Sequence, residues 1–174
     1  MVGACKDRLA DALATYGRVP IVKRTVAVDA GHPAFRRTDD APLWSAAGLV
    51  HDPGFCVLLV RHAASSTWAD RWVTPGGWLR EGETTTDGFR REVREEVGLE
   101  LRELRLTRIF NETLADGHGV RHAYFAQFVA EASTTAAARG RGIREARWFD
   151  GLPEAMAYRD DYLEDFARLR AQRL

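Results

Sequence analysis

Three glutamates, Glu92, Glu95 and Glu96, have the types and spacing to do chemistry. On a helix turning about 100° per residue they share one arc, stacked at i, i+3 and i+4. Like charges so placed repel by roughly a few tenths of a kcal/mol per pair, so the cluster makes more sense with a cation between them. An oxygen-only ligand set favours a hard ion such as Mg²⁺ or Mn²⁺, which keeps waters and shares its remaining positions with substrate phosphates. No Cys/His cluster points to zinc. The opposite arc carries Phe89, Val93 and Val97, a ridge suited to burial against a sheet. One face would anchor and the other would work. Taken alone, Glu-x-x-Glu-Glu would read as a solvated face neutralised by Arg90, Arg91 and Arg94.

The residues around the cluster change that balance. Gly76 and Gly77, after Pro75, supply a backbone bend that can approach an ion or phosphate closely. Arg91 can pair with Glu83 and hold the intervening loop onto the helix. From Gly77 the chain runs Gly, five residues, Glu83, seven residues, Arg91-Glu92-Val93, one residue, Glu95-Glu96, one residue, Gly98-Leu99. Seven specified residues at about 0.06 each and two aliphatic positions at about 0.25 make chance occurrence on the order of 10⁻¹⁰ per start.

This pattern resembles the box of the Nudix hydrolases, and the likeness covers about residues 43–174. The resemblance implies an α/β/α sandwich, a mixed β-sheet between helices, and hydrolysis of a nucleoside diphosphate linked to another moiety. It implies Mg²⁺, with Mn²⁺ able to substitute, held by Glu92, Glu95 and Glu96 with a backbone contribution from Gly76 or Gly77. It further implies Arg91 and Glu83 as an orienting pair, with one of the box glutamates, Glu95 or Glu96 among them, or a glutamate outside the box, activating the water. Two departures bear on loop geometry: Arg80 stands where the family often has an acid, and Gly88-Phe89 replaces its usual small pair.

Outside the box, Arg61 and His62 end a strand feeding this face and are candidate phosphate contacts, or simply an exposed strand end. Glu145 is a further candidate ligand or base, whereas Asp116 and His118 read as turn residues. The base and sugar are read by loops and strands beyond the box. An ADP-ribose-type proline would fall at 114 or 115, where Leu114 and Ala115 stand, and Asp116 and Gly117 occupy the place of a dinucleoside-polyphosphate-type tyrosine. No coenzyme A or NADH signature is found. These absences favour a nucleoside triphosphate, oxidised forms included, over a nucleotide sugar or ADP-ribose. A nucleotide-sensing module that does not cut is the alternative from another class. Trp78, Phe110 and Tyr124 are candidates for base stacking, or core aromatics.

The elements that must position these groups follow from periodicity. Residues Thr85–Val97 are helical, stopped by Gly98. Trp44–His51 and Phe55–Arg61 form a hairpin around Asp52-Pro53-Gly54, Trp72–Thr74 is a short strand, and Leu104–Glu112 with Arg121–Glu131 form a second hairpin. Ser133–Gly142 is expected to be a mobile loop and Arg144–Phe149 a last strand, with Pro153 opening a final helix towards Arg173. Residues 1–42 form an extension before the catalytic domain, with a helix over Cys5–Tyr16, a strand over Val22–Asp29 and a loop over Gly31–Pro42. No function is assigned to it; it is expected to pack on the domain or on a second subunit, the latter giving a homodimer.

The totals narrow the class. At 174 residues, one domain can bury a sizeable core without staples. Cys5 and Cys56 fit a reducing compartment and unreactive core thiols. Lys plus Arg equals Asp plus Glu at 25 each, so no overall field recruits nucleic acid or an anionic membrane, and the expected partner is a small nucleotide. Charges at Lys6, Asp7, Arg8 and Asp11 interrupt any secretory h-region, and the clean apolar run Phe55–Val60 is far short of the about 20 residues of a membrane span. A cytoplasmic protein is the expectation.

Overall fold

The ridge of Phe89, Val93 and Val97 packs into the largest core, where Phe89 lies flat on Phe128 with ring centroids 5.0 Å apart. The computed structural model describes residues 4–37, 41–64, 66, 68 and 70–172, without the side chains of 4–7. In chain order these form α1 (Ala4–Tyr16), β1 (Ile21–Ala27), a 3-10 turn (Pro33–Arg36), β2 (Leu43–His51), β3 (Val57–His62) and β4 (Gly76–Trp78). There follow α2 (Thr85–Val97), β5 (Leu101–Ala115), β6 (Val120–Ala132), β7 (Ile143–Phe149) and α3 (Arg159–Ala171).

Among the described residues seven strands make one sheet, ordered β1-β5-β6-β2-β3-β7, with β4 attached to β2. The β1–β5 and β2–β6 pairs are parallel and the others antiparallel, so the sheet is mixed. Helices α1 and α2 cover one face over Trp44, Leu58, Val60 and Phe128, and α3 covers the other over Leu49, Leu59 and Val129. The α/β/α layering of a single domain, expected from the resemblance, is present. No helix among the described residues is long and apolar enough to cross a membrane.

Helix α2 matches its sequence expectation because both ends carry chemical stops. The Thr84 side chain accepts from the Asp87 amide at the N-terminus, and Gly98, at φ 69°, supplies the left-handed residue beyond the C-terminus. Ser133–Gly142 contains neither helix nor strand and packs over that C-terminus, the Ala138 amide donating to Val97 O and the Gly140 amide to Glu96 O. A side chain at Gly140 would collide with the backbone carbonyl of Glu95, so only glycine allows this approach.

Several boundaries differ from expectation for identifiable reasons. The β3 strand starts at Val57, not Phe55, because the backbones of Asp52 and Cys56 close a turn, reinforced by Asp52 Oδ1 accepting from the Cys56 amide at 2.9 Å. Cys56 is accordingly half-buried rather than a core thiol, and the Cys5 side chain lies outside the described residues. Trp72–Thr74 forms only isolated bridges to Val60 and Met156, and the strand in this region is Gly76–Trp78. Gly76 and Gly77, expected to bend the chain, instead lie extended along Ala46 and Ala47, an approach that a Cβ at Gly76 would block. Pro153 does not open the last helix. The backbones of Ala155 and Ala157 are engaged by Trp72, which delays α3 until Arg159.

The leader packs on the domain. Strand β1 extends the sheet beside β5, while on α1 the Tyr16 hydroxyl meets Thr86 Oγ1 at 2.8 Å and Arg8 donates to the carbonyls of Arg80 and Glu83. Because Phe89 is fully buried, Phe89→Ala is expected to destabilise the fold by about 3–5 kcal/mol. Urea denaturation checks this through a lower midpoint at unchanged slope.

Candidate active site

Strands β2 and β3 pair only at Val50–Leu58 and His51–Val57, and β4 takes up the partnership with β2 at Ser45–Ala47. A cleft of about 610 Å³ opens beside them, lined at this end by Gly76, Gly77, His62, Glu92 and Glu96. His62 at the end of β3 and Gly76 and Gly77 of β4 are thus brought to the acidic face of α2. The Gly76 amide donates to Glu96 Oε2 at 3.0 Å. A Cβ at Gly77 would lie 2.8 Å from the Glu92 carboxylate, so the missing side chain makes room for that carboxylate.

Arg91 is the hub of the loop. Its Nε donates to Glu83 Oε1 at 2.5 Å and its Nη2 to Glu83 Oε2 at 3.0 Å, a bidentate pair that also places Nη1 on Glu92 at 2.7 Å and Glu95 at 3.2 Å. Arg91 Nη2 further donates to Trp78 O, and Glu83 Oε2 accepts from the Arg80 amide, so loop and helix are tied at both ends. Gly88, one of the two departures from the usual box, sits under this loop: a Cβ there would press on Leu79 and Glu83.

The carboxylates differ in surroundings. Burial pushes the Glu96 carboxyl up to about 8, an effect opposed by the Gly76 amide and increased by Glu92 and Glu95. Burial also raises Glu92, against the pull of Arg91. Glu95 is the most exposed of the three and is drawn to Arg80 and Arg91; Arg80 Nη2 donates to both its oxygens, at 2.9 and 3.1 Å. Desolvation lowers His62, whose Nε2 lies 3.7 Å from Glu96 Oε1. Among the described residues, no three His, Cys, Asp or Glu side chains converge as a finished metal shell. Glu92 and Glu96 share the cleft wall, whereas Glu95, held by Arg80 and Arg91, is not part of its lining.

Arg61 and Glu145 face each other across β3 and β7 at 3.7 Å, with the Arg61 guanidinium 4.5 Å over the Trp72 ring. Neither lines the cleft, whereas His62 does. Of the three stacking candidates, Trp78 lines the cleft at 39% exposure. Phe110 is buried beneath Arg24, and Tyr124 is stacked on Trp44. Asp116 caps its own turn through the amides of His118 and Gly119. Sequence reading missed the other end of the cleft, where Arg24, Val26, Val28 and His32 of the leader meet Glu112 and Tyr158. No local pattern marks those residues, because only strand pairing brings them together.

A family profile described as the NUDIX domain matches residues 42–162, and the chain belongs to that family, whose members act on phosphoanhydride bonds. It is 33% identical over 106 residues to the "Uncharacterized Nudix hydrolase YvcI" of Bacillus subtilis (strain 168), a match covering 55% of this chain and 63% of that relative. The chain therefore spans less than two thirds of the length of that curated relative. Among solved structures, the fold is similar to a MutT NUDIX hydrolase from Burkholderia pseudomallei at 20% identity and a TM-score of 0.57, covering 68% of this chain and 92% of that one. It is likewise similar to a NUDIX hydrolase from Nitrosomonas europaea at 22% identity and a TM-score of 0.58, covering 77% and 74% of the two chains.

Hydrogen bonds from Arg91 hold the Glu83 carboxyl below its ordinary value of 4.5. With the folded value depressed, ionised Glu83 contributes stability above the unfolded value, and the contribution is lost as pH falls through the folded one. Wild type is therefore expected to be more stable than Glu83→Gln near neutral pH, the gap closing on acidification below about pH 4. Urea midpoints of both proteins at about pH 6.5 and about pH 3.5 check this; a gap that does not narrow would remove the pair from the stability of the loop.

Proposed function

We propose that the chain is a divalent-metal-dependent pyrophosphohydrolase of nucleoside triphosphates, oxidised forms included, acting in the cytoplasm. The observation that carries this reading is the gathering of Glu92, Glu96 and Gly76 at one end of a cleft of about 610 Å³, beside a loop braced by the Arg91–Glu83 pair. A cleft of that size accommodates a nucleotide. The missing proline at 114–115 favours the triphosphate over ADP-ribose.

The donor chemistry of this end suits a hard dication. Two adjoining carboxylates raised by burial offer hard oxygen donors and are stabilised by a close positive charge. Glu92, Glu95 and Glu96, with backbone from Gly76 or Gly77, would hold Mg²⁺ or Mn²⁺. When bound there, the ion supplies charge neutralisation of the anhydride and activation of water. The protein's own groups do the rest. Arg91 orients Glu83, Glu92 and Glu95 together, and the Gly76 amide fixes Glu96 Oε2. One of the box glutamates, Glu95 or Glu96 among them, or a glutamate outside the box would accept the proton of the attacking water.

Glu95→Gln and Glu96→Gln are each expected to lower kcat by about two orders of magnitude or more, with folding retained. Turnover of a panel of nucleoside triphosphates, nucleotide sugars and dinucleotides with Mg²⁺ or Mn²⁺, read alongside thermal melts, measures this. Pyrophosphate plus a monophosphate is the expected product pair. Two monophosphorylated products would instead identify a nucleotide-sugar or ADP-ribose hydrolase, and binding without cleavage would identify a sensing module. Unchanged turnover in both variants would falsify the metal assignment.

A further inference from the structure

The cleft has a second polar end, built from three elements that the box does not include. At its floor Glu112 of β5 is 8% exposed, and Arg24 of β1 donates to Glu112 Oε1 from Nε at 2.9 Å and from Nη2 at 2.5 Å. Arg24 Nη1 reaches Asp161 of α3 at 2.6 Å, and the guanidinium lies 3.7 Å over the Phe110 ring. Arg24 is thus committed on its edges and on one face. The pair is registered by the sheet, since Arg24 and Glu112 are direct partners in the β1–β5 ladder. The other oxygen of Glu112, Oε2, accepts no hydrogen bond from the described residues, and Glu112 lines the cleft.

The walls here are largely apolar or aromatic, with His32 and Arg36 of the leader also in the lining. Val26, Val28, Leu114 and Phe125 contribute side chains, and Tyr158 adds a ring that is 45% exposed. Tyr158 adopts φ 52°, the left-handed region that a tyrosine rarely occupies, at the N-terminus of α3. Exposed aromatic surface and an uncommon backbone conformation together at a cleft are features of ligand clamps. An oriented, nearly buried carboxylate with one vacant acceptor, set among flat apolar walls, recognises a planar ring that offers an N–H.

We propose that this end of the cleft is a nucleobase subsite, in which Glu112 Oε2 accepts a hydrogen bond from an N–H of the base and Arg24 positions Glu112. The subsite makes the ligand a nucleoside phosphate rather than a bare polyphosphate or sugar diphosphate. Its outer wall comes from the leader, which lies before the matched family region of residues 42–162. The inference rests on the hydrolase reading only in seating the phosphate near Glu92 and Glu96.

Calorimetry with monophosphates tests it without turnover, so a chain that binds as described but does not hydrolyse would overturn the hydrolase reading and leave this one standing. GMP, AMP, CMP and UMP are titrated into the full chain with Mg²⁺, next to ribose 5-phosphate, which has the sugar and phosphate but no base. The best of the four nucleotides is expected to bind at least about tenfold tighter than ribose 5-phosphate, and Glu112→Gln to weaken that nucleotide about tenfold while leaving ribose 5-phosphate unchanged. Val28→Trp, which fills the subsite from its half-exposed wall, is expected to remove the preference for the nucleotide and serves if Glu112→Gln fails to fold in a thermal melt. Equal weakening of nucleotide and ribose 5-phosphate by Glu112→Gln would assign Glu112 to a sugar hydroxyl and overturn the base assignment. No preference for any nucleotide over ribose 5-phosphate would overturn the subsite.

Discussion

Glu96 is a carboxylate with 6% of its surface exposed, held by a single backbone amide, and much of the architecture around the cleft follows from keeping it there. Burying an acid without a matching cation is costly enough to raise its proton affinity strongly. The arrangement persists because α2 is fixed independently of its charges. Phe89, Val93 and Val97 are fully buried on the sheet, and Thr84 and Gly98 close the two ends of the helix. Apolar packing thus supplies the stability that the acidic face removes.

The same division of labour recurs in the loop before α2. Glycines at 76, 77 and 88 remove side chains where backbone, carboxylate and loop must come close, and the Arg91–Glu83 pair then fixes what the glycines leave flexible. The leader strengthens this from outside, with Arg8 holding the carbonyls of Arg80 and Glu83. An element without any chemical motif therefore supports the loop that has the most.

The two ends of the cleft contrast in charge logic. At the box end, carboxylates adjoin one another and their cationic partners lie to the side, the arrangement on which the proposed dication site rests. At the far end, Glu112 is already half-neutralised by Arg24, which makes it a directional acceptor more than a cation site. Under the proposed reading, phosphate and base of one ligand are met by different chemistry at opposite ends of a single cleft.

Residue spacing alone determined the helix over Thr85–Val97, its two faces, the Arg91–Glu83 pairing and the long β5–β6 hairpin. These are local: helical periodicity, capping residues and turn chemistry act within a few positions of one another, so they are written where they operate. Spacing did not reveal that Gly76–Trp78 would be a strand, that α3 would wait until Arg159, or that Glu95 would turn towards Arg80. Nor did it reveal that Arg24 would meet Glu112, 88 residues away, and that the leader would wall the cleft. Those outcomes depend on which backbones find hydrogen-bond partners across the sheet, and only the assembled tertiary structure decides that competition.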